Sequence, residues 1–189
     1  MSIKQLAKCS TLLFIVVYLL LGGCATAPLD SAYRPSGDES IIVLGIEPQV
    51  KQLTITPGEI DNDSWYFRAG FSNRPRISPR EGFVVVSLEP RVGGESYGIY
   101  QILPTGLWGD NFVMKKGKGA CVPTFEAHPG SITYVGTIFL DIQEHTIEAT
   151  VISNFEAAKK HIEKFYPQFL DDLTEGRIQF LKFGGDRYW

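Results

Sequence analysis

The pattern of hydrophobic and polar positions divides the chain into three parts. An unbroken apolar run, "LLFIVVYLLL", covers residues 12–21 and follows Lys4 and Lys8. Residues 25–39, "ATAPLDSAYRPSGDE", are small and polar and contain two prolines, a composition typical of a flexible linker. Beyond this linker, short apolar segments alternate with Pro, Gly, Asn and Asp, which predicts one folded domain over residues 40–189.

Strand-like segments dominate the first two-thirds of this domain. In "WYFRAGF", Trp65 and Phe67 fall on one face of a strand, and Tyr66 and Arg68 fall on the other. Further strands are predicted in "IIVLGI", "QLTIT", "GFVVVSL", "SYGIYQIL", "ACVPTFEA", "SITYVGTIFLDI" and "TIEATVI". Turn residues separate them, as in "TPGEIDND" and "KKGKG". The pattern predicts a mostly β fold, an antiparallel β-sandwich of about seven to nine strands.

The hydrophobic period changes to that of a helix near the C-terminus. In "NFEAAKKHIEKFYPQFLDDL" one apolar stripe contains Phe155, Ala158, Ile162, Phe165 and Phe169. Asn154 is a suitable N-cap, and Pro167 is expected to end the helix near Tyr166. His161 is expected on the polar, solvated face. A final strand is predicted in "RIQFLKF".

The N-terminal apolar run is only ten residues long, whereas a helix that crosses a bilayer needs about 20 apolar residues. Positive charges, a short apolar core and then small residues are typical of a secretory signal peptide, here predicted over residues 1–23. The segment ends in "LGGC", which resembles the lipobox of bacterial lipoproteins. The resemblance implies cleavage before Cys24, diacylglycerol on its sulfur and an acylated amine. A plain secretory signal and an uncleaved anchor are the alternatives.

The lipobox resemblance also implies a location. Several acyl chains on one residue exceed what stable membrane anchoring requires. Ala25 stands where an aspartate would resemble an inner-membrane retention signal, which favours the periplasmic face of the outer membrane. Residues 24–39 would then be the lipidated cysteine and a flexible tether, with a root-mean-square span of roughly 20 Å.

Two stretches of the domain resemble a loose group of bacterial lipoproteins with prealbumin-like (carboxypeptidase-regulatory-like) β-sandwiches. They are "GESYGIYQIL", which follows "GFVVVSLEP", and "PTFEAHPGSITYVGTIFLDI". The resemblance covers roughly residues 40–152 and rests on turn and core positions, namely Tyr97, Tyr100, Phe125, Pro129, Gly130, Tyr134 and Gly136. It implies a sandwich fold and supplies no active site.

Charge and cysteine content limit the classes of function that the chain can have. A formal net charge of −3 does not suggest a nucleic-acid binder, which would need a clearly basic surface. Of the three cysteines, Cys9 would leave with the signal and Cys24 would carry lipid, so Cys121 would remain without a disulfide partner. In its strand-like context Cys121 is expected to be a small buried hydrophobe, with a reactive thiol as the alternative.

No catalytic, cofactor-binding or metal site is predicted. Asp61 and Asp63 have the spacing of a calcium loop, but the later ligands of such a loop are missing. His128, His145 and His161 lack the close pairing of a zinc site. We therefore expect a non-catalytic binding or structural module. The alternative is an envelope hydrolase that uses Cys121 or an unrecognised pair of carboxylates.

Two groups of residues are candidates for partner contacts. Cations cluster in "RPRISPR" and "MKKGKG", and they are Arg74, Arg76, Arg80, Lys115, Lys116 and Lys118. They could form an anion-binding patch for lipopolysaccharide phosphate or another anionic glycan, or be two ordinary solvated loops. Trp108 and Phe112 in "PTGLWGDNF" could contact an envelope protein or fold onto the core. The expected partners are thus the membrane, through the lipid, and an envelope protein or anionic glycan.

Overall fold

The computed structural model describes residues 29–68, 76–90, 96–104, 114–116, 119–143 and 146–187. This part of the chain is mostly β. Its strands are β1 (Ser40–Glu47), β2 (Val50–Asp61), β3 (Ser64–Arg68), β4 (Arg76–Ile77), β5 (Phe83–Leu88), β6 (Ser96–Pro104), β7 (Met114–Lys116), β8 (Gly119–Phe125), β9 (Ile132–Gln143), β10 (Thr146–Ile152), β11 (Leu173–Glu175) and β12 (Gln179–Arg187). Helix α1 spans Phe155–Phe165, and a short 3-10 helix spans Pro167–Phe169. Within these ranges no helix has the length and apolar character needed to span a membrane.

The strands form two layers, with α1 outside the first. In the first sheet the order is β5-β1-β9-β10-β7, and β11 pairs with β9. Strand β1 is apolar on both faces because both are covered: Ile42 and Leu44 face the core between the layers, whereas Ile41 and Val43 pack with α1.

The second sheet closes into a five-stranded barrel, which corrects the expected plain sandwich. Strand β12 pairs parallel with β3 and antiparallel with β8, and β2 links β3 to β6, which pairs with β8. Closure leaves no open sheet edge in the ring. Parallel pairings also join β1 to β9, β7 to β10 and β9 to β11, so the fold is not purely antiparallel.

The predicted strands are present, with differences at two turn signals. Strand β2 runs through Pro57 and Gly58, where the sequence suggested a turn, because both pair with β6. The true turn is Asn62-Asp63, and both residues have positive φ, 48° and 60°. This is the backbone of a two-residue hairpin loop between β2 and β3. Asp63 is thus a turn residue. Strand β7 lies within the predicted "MKKGKG" loop.

Helix α1 begins and ends where the sequence predicts. The side-chain oxygen of Asn154 accepts a hydrogen bond from the backbone N–H of Ala157 at 3.4 Å. Pro167 follows Tyr166, the C-cap. The predicted solvated position of His161 is wrong, because its side chain is turned into the aromatic contact between α1 and the first sheet and is only 6% exposed.

The described part of the predicted tether, residues 29–39, contacts the domain. Leu29 and Tyr33 pack against the core beneath α1. The Tyr33 hydroxyl donates to Glu39 and lies 3.3 Å from Ser87 Oγ. The Gln168 amide donates to the Tyr33 carbonyl at 3.2 Å. Within the described part of the chain, contacts with the domain are therefore present from Leu29 onwards.

Candidate functional site at the barrel mouth

One large aromatic residue fills the barrel interior. The Trp65 side chain is fully buried and lies across Gly58 of β2 and Gly98 of β6. A Cβ atom added at either glycine would lie 2.5 or 2.6 Å, respectively, from Trp65 Cζ2. Phe67 and Phe183 stack beside it, with parallel rings at 6.5 Å between centroids. The two glycines are therefore required by the close approach of the indole.

Above this filled interior, side chains from four barrel strands surround one end, the barrel mouth. These side chains lie on the inner face of the barrel, because residues paired across two strands share a face. Gly58 and Gly98 face inward, against the indole. Ser96 pairs with Gly58, and Thr124 pairs with both Gly98 and Gln179. Ile60, Ser96, Thr124 and Gln179 line a cavity of about 260 Å³. The mouth of a β-barrel is a common position for a ligand site.

The first sheet supplies the opposite wall of this cavity. Thr133 and Val135 of β9 and Thr174 and Glu175 of β11 line it, followed by Arg177. The chain after β11 is held tightly against β9: Gly176 N–H donates to the Tyr134 carbonyl at 2.8 Å, and a Cβ on Gly176 would lie 2.6 Å from Thr133 Cγ2. This contact positions Glu175 and Arg177 at the rim.

Four hydroxyl groups of the wall donate their proton to protein oxygens. The pairs are Thr124 to the Gln179 carbonyl (3.2 Å), Ser131 to the His128 carbonyl (2.7 Å), Thr133 to Ser131 Oγ (3.3 Å) and Thr174 to the Ile132 carbonyl (3.1 Å). A hydroxyl has one proton and two lone pairs. Towards the cavity the hydroxyls of Thr124, Thr133 and Thr174 can therefore act only as acceptors, whereas Ser131 Oγ already accepts from Thr133 and lies 3.2 Å from Ser40 Oγ.

Ser96 differs from these hydroxyls. Its side chain is 1% exposed, and its Oγ has no hydrogen-bond partner in the described part of the chain. Thr56 Oγ1 and Trp65 Nε1 are also buried without a partner, but neither residue lines the cavity. An unpaired buried hydroxyl costs about 1–3 kcal/mol and calls for an explanation. A ligand bound at the barrel mouth is one explanation for the unpaired Ser96 hydroxyl.

Charged groups surround the opening. Glu126 and Glu175 contribute carboxylates, and Arg177 contributes a guanidinium. His128 Nε2 lies 3.5 Å from a carboxylate oxygen of Glu126, with both side chains exposed. With two carboxylates against one guanidinium, the rim is not a site for a strongly anionic ligand.

The structure describes four of the six residues of the predicted cationic patch. Arg76 is exposed on β4, beside Thr54 of β2. The Arg80 guanidinium stacks 3.7 Å above the centre of the Phe165 ring of α1, a cation–π contact. Lys115 and Lys116 belong to β7. Arg74, Lys118, Trp108 and Phe112 lie outside the described residues, as do Cys24 and His145.

Cys121 is half-buried on β8, opposite Lys182 of β12, and is not part of the cavity wall. Cys121 is therefore less buried than the sequence predicts. Among the residues that the structure describes, no cluster of three or more His, Cys, Asp or Glu side chains is arranged to hold a metal ion.

His161 forms a second unusual environment. Its ring centre lies 4.7 Å from that of Phe83 and 4.8 Å from that of Phe165. Its Nε2 is buried and has no hydrogen-bond partner among the residues that the structure describes. Burial lowers the pKa of His161 to about 4, which the positive charges of Arg80 and Lys164 favour and Glu81 opposes. The sequence carries a signal for this burial, because His161 follows Ala158 by three positions and precedes Phe165 by four.

Sequence reasoning missed the barrel mouth, since its residues come from positions 60 to 179 and share no local motif. The fold and cavity define a mostly β protein with a closed barrel and a cavity at the barrel mouth that is lined by polar and apolar side chains. Comparison with known proteins adds no relative: no protein-family model, curated protein or solved structure is significantly similar to the chain.

Proposed function

We propose that the chain is a lipid-anchored protein of the bacterial envelope whose β domain is a non-catalytic binding module. The observation that carries the binding role is the cavity at the barrel mouth, with the unpaired Ser96 hydroxyl in its wall. The anchoring role rests on the "LGGC" sequence directly after the apolar run. The resemblance to lipoproteins with prealbumin-like domains is consistent with both roles.

A binding role fits the cavity better than catalysis does. The wall hydroxyls donate to protein oxygens, which holds them as pre-oriented acceptors. Cys121, the candidate nucleophile, lies outside the cavity wall. The two rim carboxylates, those of Glu126 and Glu175, are suited to accept hydrogen bonds from a ligand.

The contacts of residues 29–39 bring the proposed anchor close to the domain. Four residues, 25–28, separate Cys24 from Leu29, which packs on the domain. A chain spans at most about 3.6 Å per residue, so Cys24 would lie within about 18 Å of Leu29. The domain would thus rest at the membrane surface, on the periplasmic face of the outer membrane, and would meet membrane-associated partners first.

Replacement of Cys24 by serine tests the anchor. In cells fed labelled palmitate, we expect the natural chain to carry label and to sediment with membranes, and Cys24→Ser to lose both properties. Cys9→Ser is the matched control, because Cys9 lies in the predicted signal and its replacement should change neither. Palmitate on Cys24→Ser would overturn the anchor without bearing on the barrel mouth.

A further inference from the structure

We infer that the barrel mouth binds a single sugar unit, whose hydroxyl groups donate hydrogen bonds to the cavity wall. This inference deepens the proposed binding function and rests on it. It concerns a site apart from the cationic residues Arg76 and Arg80, which lie on other elements.

The wall is rich in acceptors. The hydroxyls of Thr124, Thr133 and Thr174 donate their protons to protein oxygens, so they face the cavity as acceptors. The carboxylates of Glu126 and Glu175 only accept when ionised. A ligand must therefore bring several donors, and sugar hydroxyls are such donors.

The wall also offers a few hydrogen-bond donors, and this favours a ligand with hydroxyl groups over a ligand with ammonium groups. Ser96 has an uncommitted proton, and Arg177 and Gln179 carry N–H groups. A sugar hydroxyl accepts and donates at once, so it can satisfy both kinds of partner. Phosphate or sulfate has mainly acceptor oxygens and would meet two carboxylates, which disfavours an acidic glycan at this site.

The size and the apolar surface of the cavity match a single sugar ring. The cavity, about 260 Å³, falls just below the range of about 300–1,000 Å³ that holds drug-sized ligands. Ile60, 45% exposed, stands at the opening. Its side chain offers apolar contact to the C–H face of a ring.

Saturation-transfer NMR on the full chain tests the inference, in a detergent whose headgroup is not a sugar. The probes are glucose, glucosamine and N-acetylglucosamine, with sulfate and the dipeptide alanylalanine for comparison. We expect millimolar binding of at least one sugar, weakened about tenfold or more in Ser96→Ala and in Glu175→Gln, which corresponds to about 1.4 kcal/mol.

Thr56→Val is the matched control. It also removes an unpaired buried hydroxyl of the barrel, but Thr56 does not line the cavity. We expect Thr56→Val to bind the sugar as the natural chain does. Equal loss of binding in Thr56→Val and Ser96→Ala would mean that the variants act through the fold, and would overturn the assignment of the mouth.

The remaining outcomes separate the sugar inference from the proposed function. Binding of alanylalanine that depends on Ser96, without binding of any sugar, would overturn the inference but leave a binding module. Absence of binding by every probe would overturn the inference and remove the support that the mouth gives to the proposed function.

Discussion

The indole of Trp65 lies directly against the backbone of Gly98. A Cβ atom at Gly98 would approach Trp65 Cζ2 to 2.6 Å, a distance that forces one of the two to move. Because Trp65 fills the barrel beneath the cavity, this contact sets the level at which the barrel mouth begins. The contact ties the stability of the barrel to the shape of the candidate site.

We expect Gly98→Ala to destabilise the domain by about 1–3 kcal/mol, the usual cost of overpacking a core. Chemical denaturation followed by tryptophan fluorescence measures the change. In the double variant Trp65→Phe, Gly98→Ala, the smaller ring should relieve the clash. Its loss of stability should therefore be smaller than the sum of the two single losses. Additive losses would contradict the proposed contact.

Removal of the unpaired Thr56 hydroxyl should stabilise the domain. Thr56 is fully buried, and its Oγ1 has no hydrogen-bond partner within the described residues. Thr56→Val replaces the hydroxyl by a methyl group of similar size, and we expect the free energy of unfolding to rise by about 1 kcal/mol. A fall in this free energy would show that the hydroxyl is hydrogen-bonded in solution.

Ser96→Ala should separate stability from binding. The unpaired Ser96 hydroxyl also costs the free protein stability, so we expect the variant to melt at a higher temperature than the natural chain, by a few degrees. The same variant should lose the further rise in melting temperature that a bound sugar produces. A lower melting temperature without ligand would mean that Ser96 has a structural partner.

Stability should fall in mild acid because of His161. The unfolded chain binds a proton on this residue near pH 6.5, whereas the folded chain does so only near pH 4. The unfolded state thus binds more protons between these values, so His161 lowers stability as pH falls through this window. We expect the free energy of unfolding to fall by about 1–2 kcal/mol, a value that includes a discount for partial solvent screening.

Replacement of His161 by phenylalanine tests this pH dependence. The new ring would join Phe83 and Phe165 and would not titrate, so the decrease in unfolding free energy between pH 7 and pH 4.5 should become smaller. His128→Phe is the matched control, because His128 is exposed beside Glu126, and its replacement should leave most of the decrease in place. An unchanged pH dependence in His161→Phe would contradict the prediction.

Loss of the Tyr33 hydroxyl should loosen the segment that precedes β1. Tyr33→Phe removes the contacts with Glu39 and Ser87, and we expect a cost of about 0.5–1.5 kcal/mol. Limited digestion with a glutamate-specific protease should then cut after Glu39 faster than in the natural chain. Ser31→Ala, at an exposed position, is the control. Equal cutting rates in all three proteins would show that residues 29–39 are not held by Tyr33.

The helix prediction was confirmed and the sandwich prediction only in part, and both outcomes have one physical origin. The helix depends on neighbours along the chain: Asn154 bonds to Ala157, and Pro167 follows the last turn. Barrel closure depends on β12 meeting β3, more than 100 positions earlier. The alternation of apolar and polar side chains identifies a strand but does not identify the strand with which it pairs.

The sequence by itself determined the mostly β composition and the C-terminal helix with its boundaries, because these follow from local periodicity and capping. The signal peptide and the lipid on Cys24 remain predictions from the sequence alone. The tertiary structure decided the barrel, the burial of His161 and the mouth where Ser96, Thr124 and Glu175 meet. Those residues lie far apart in the chain, so strand pairing and packing alone bring them together.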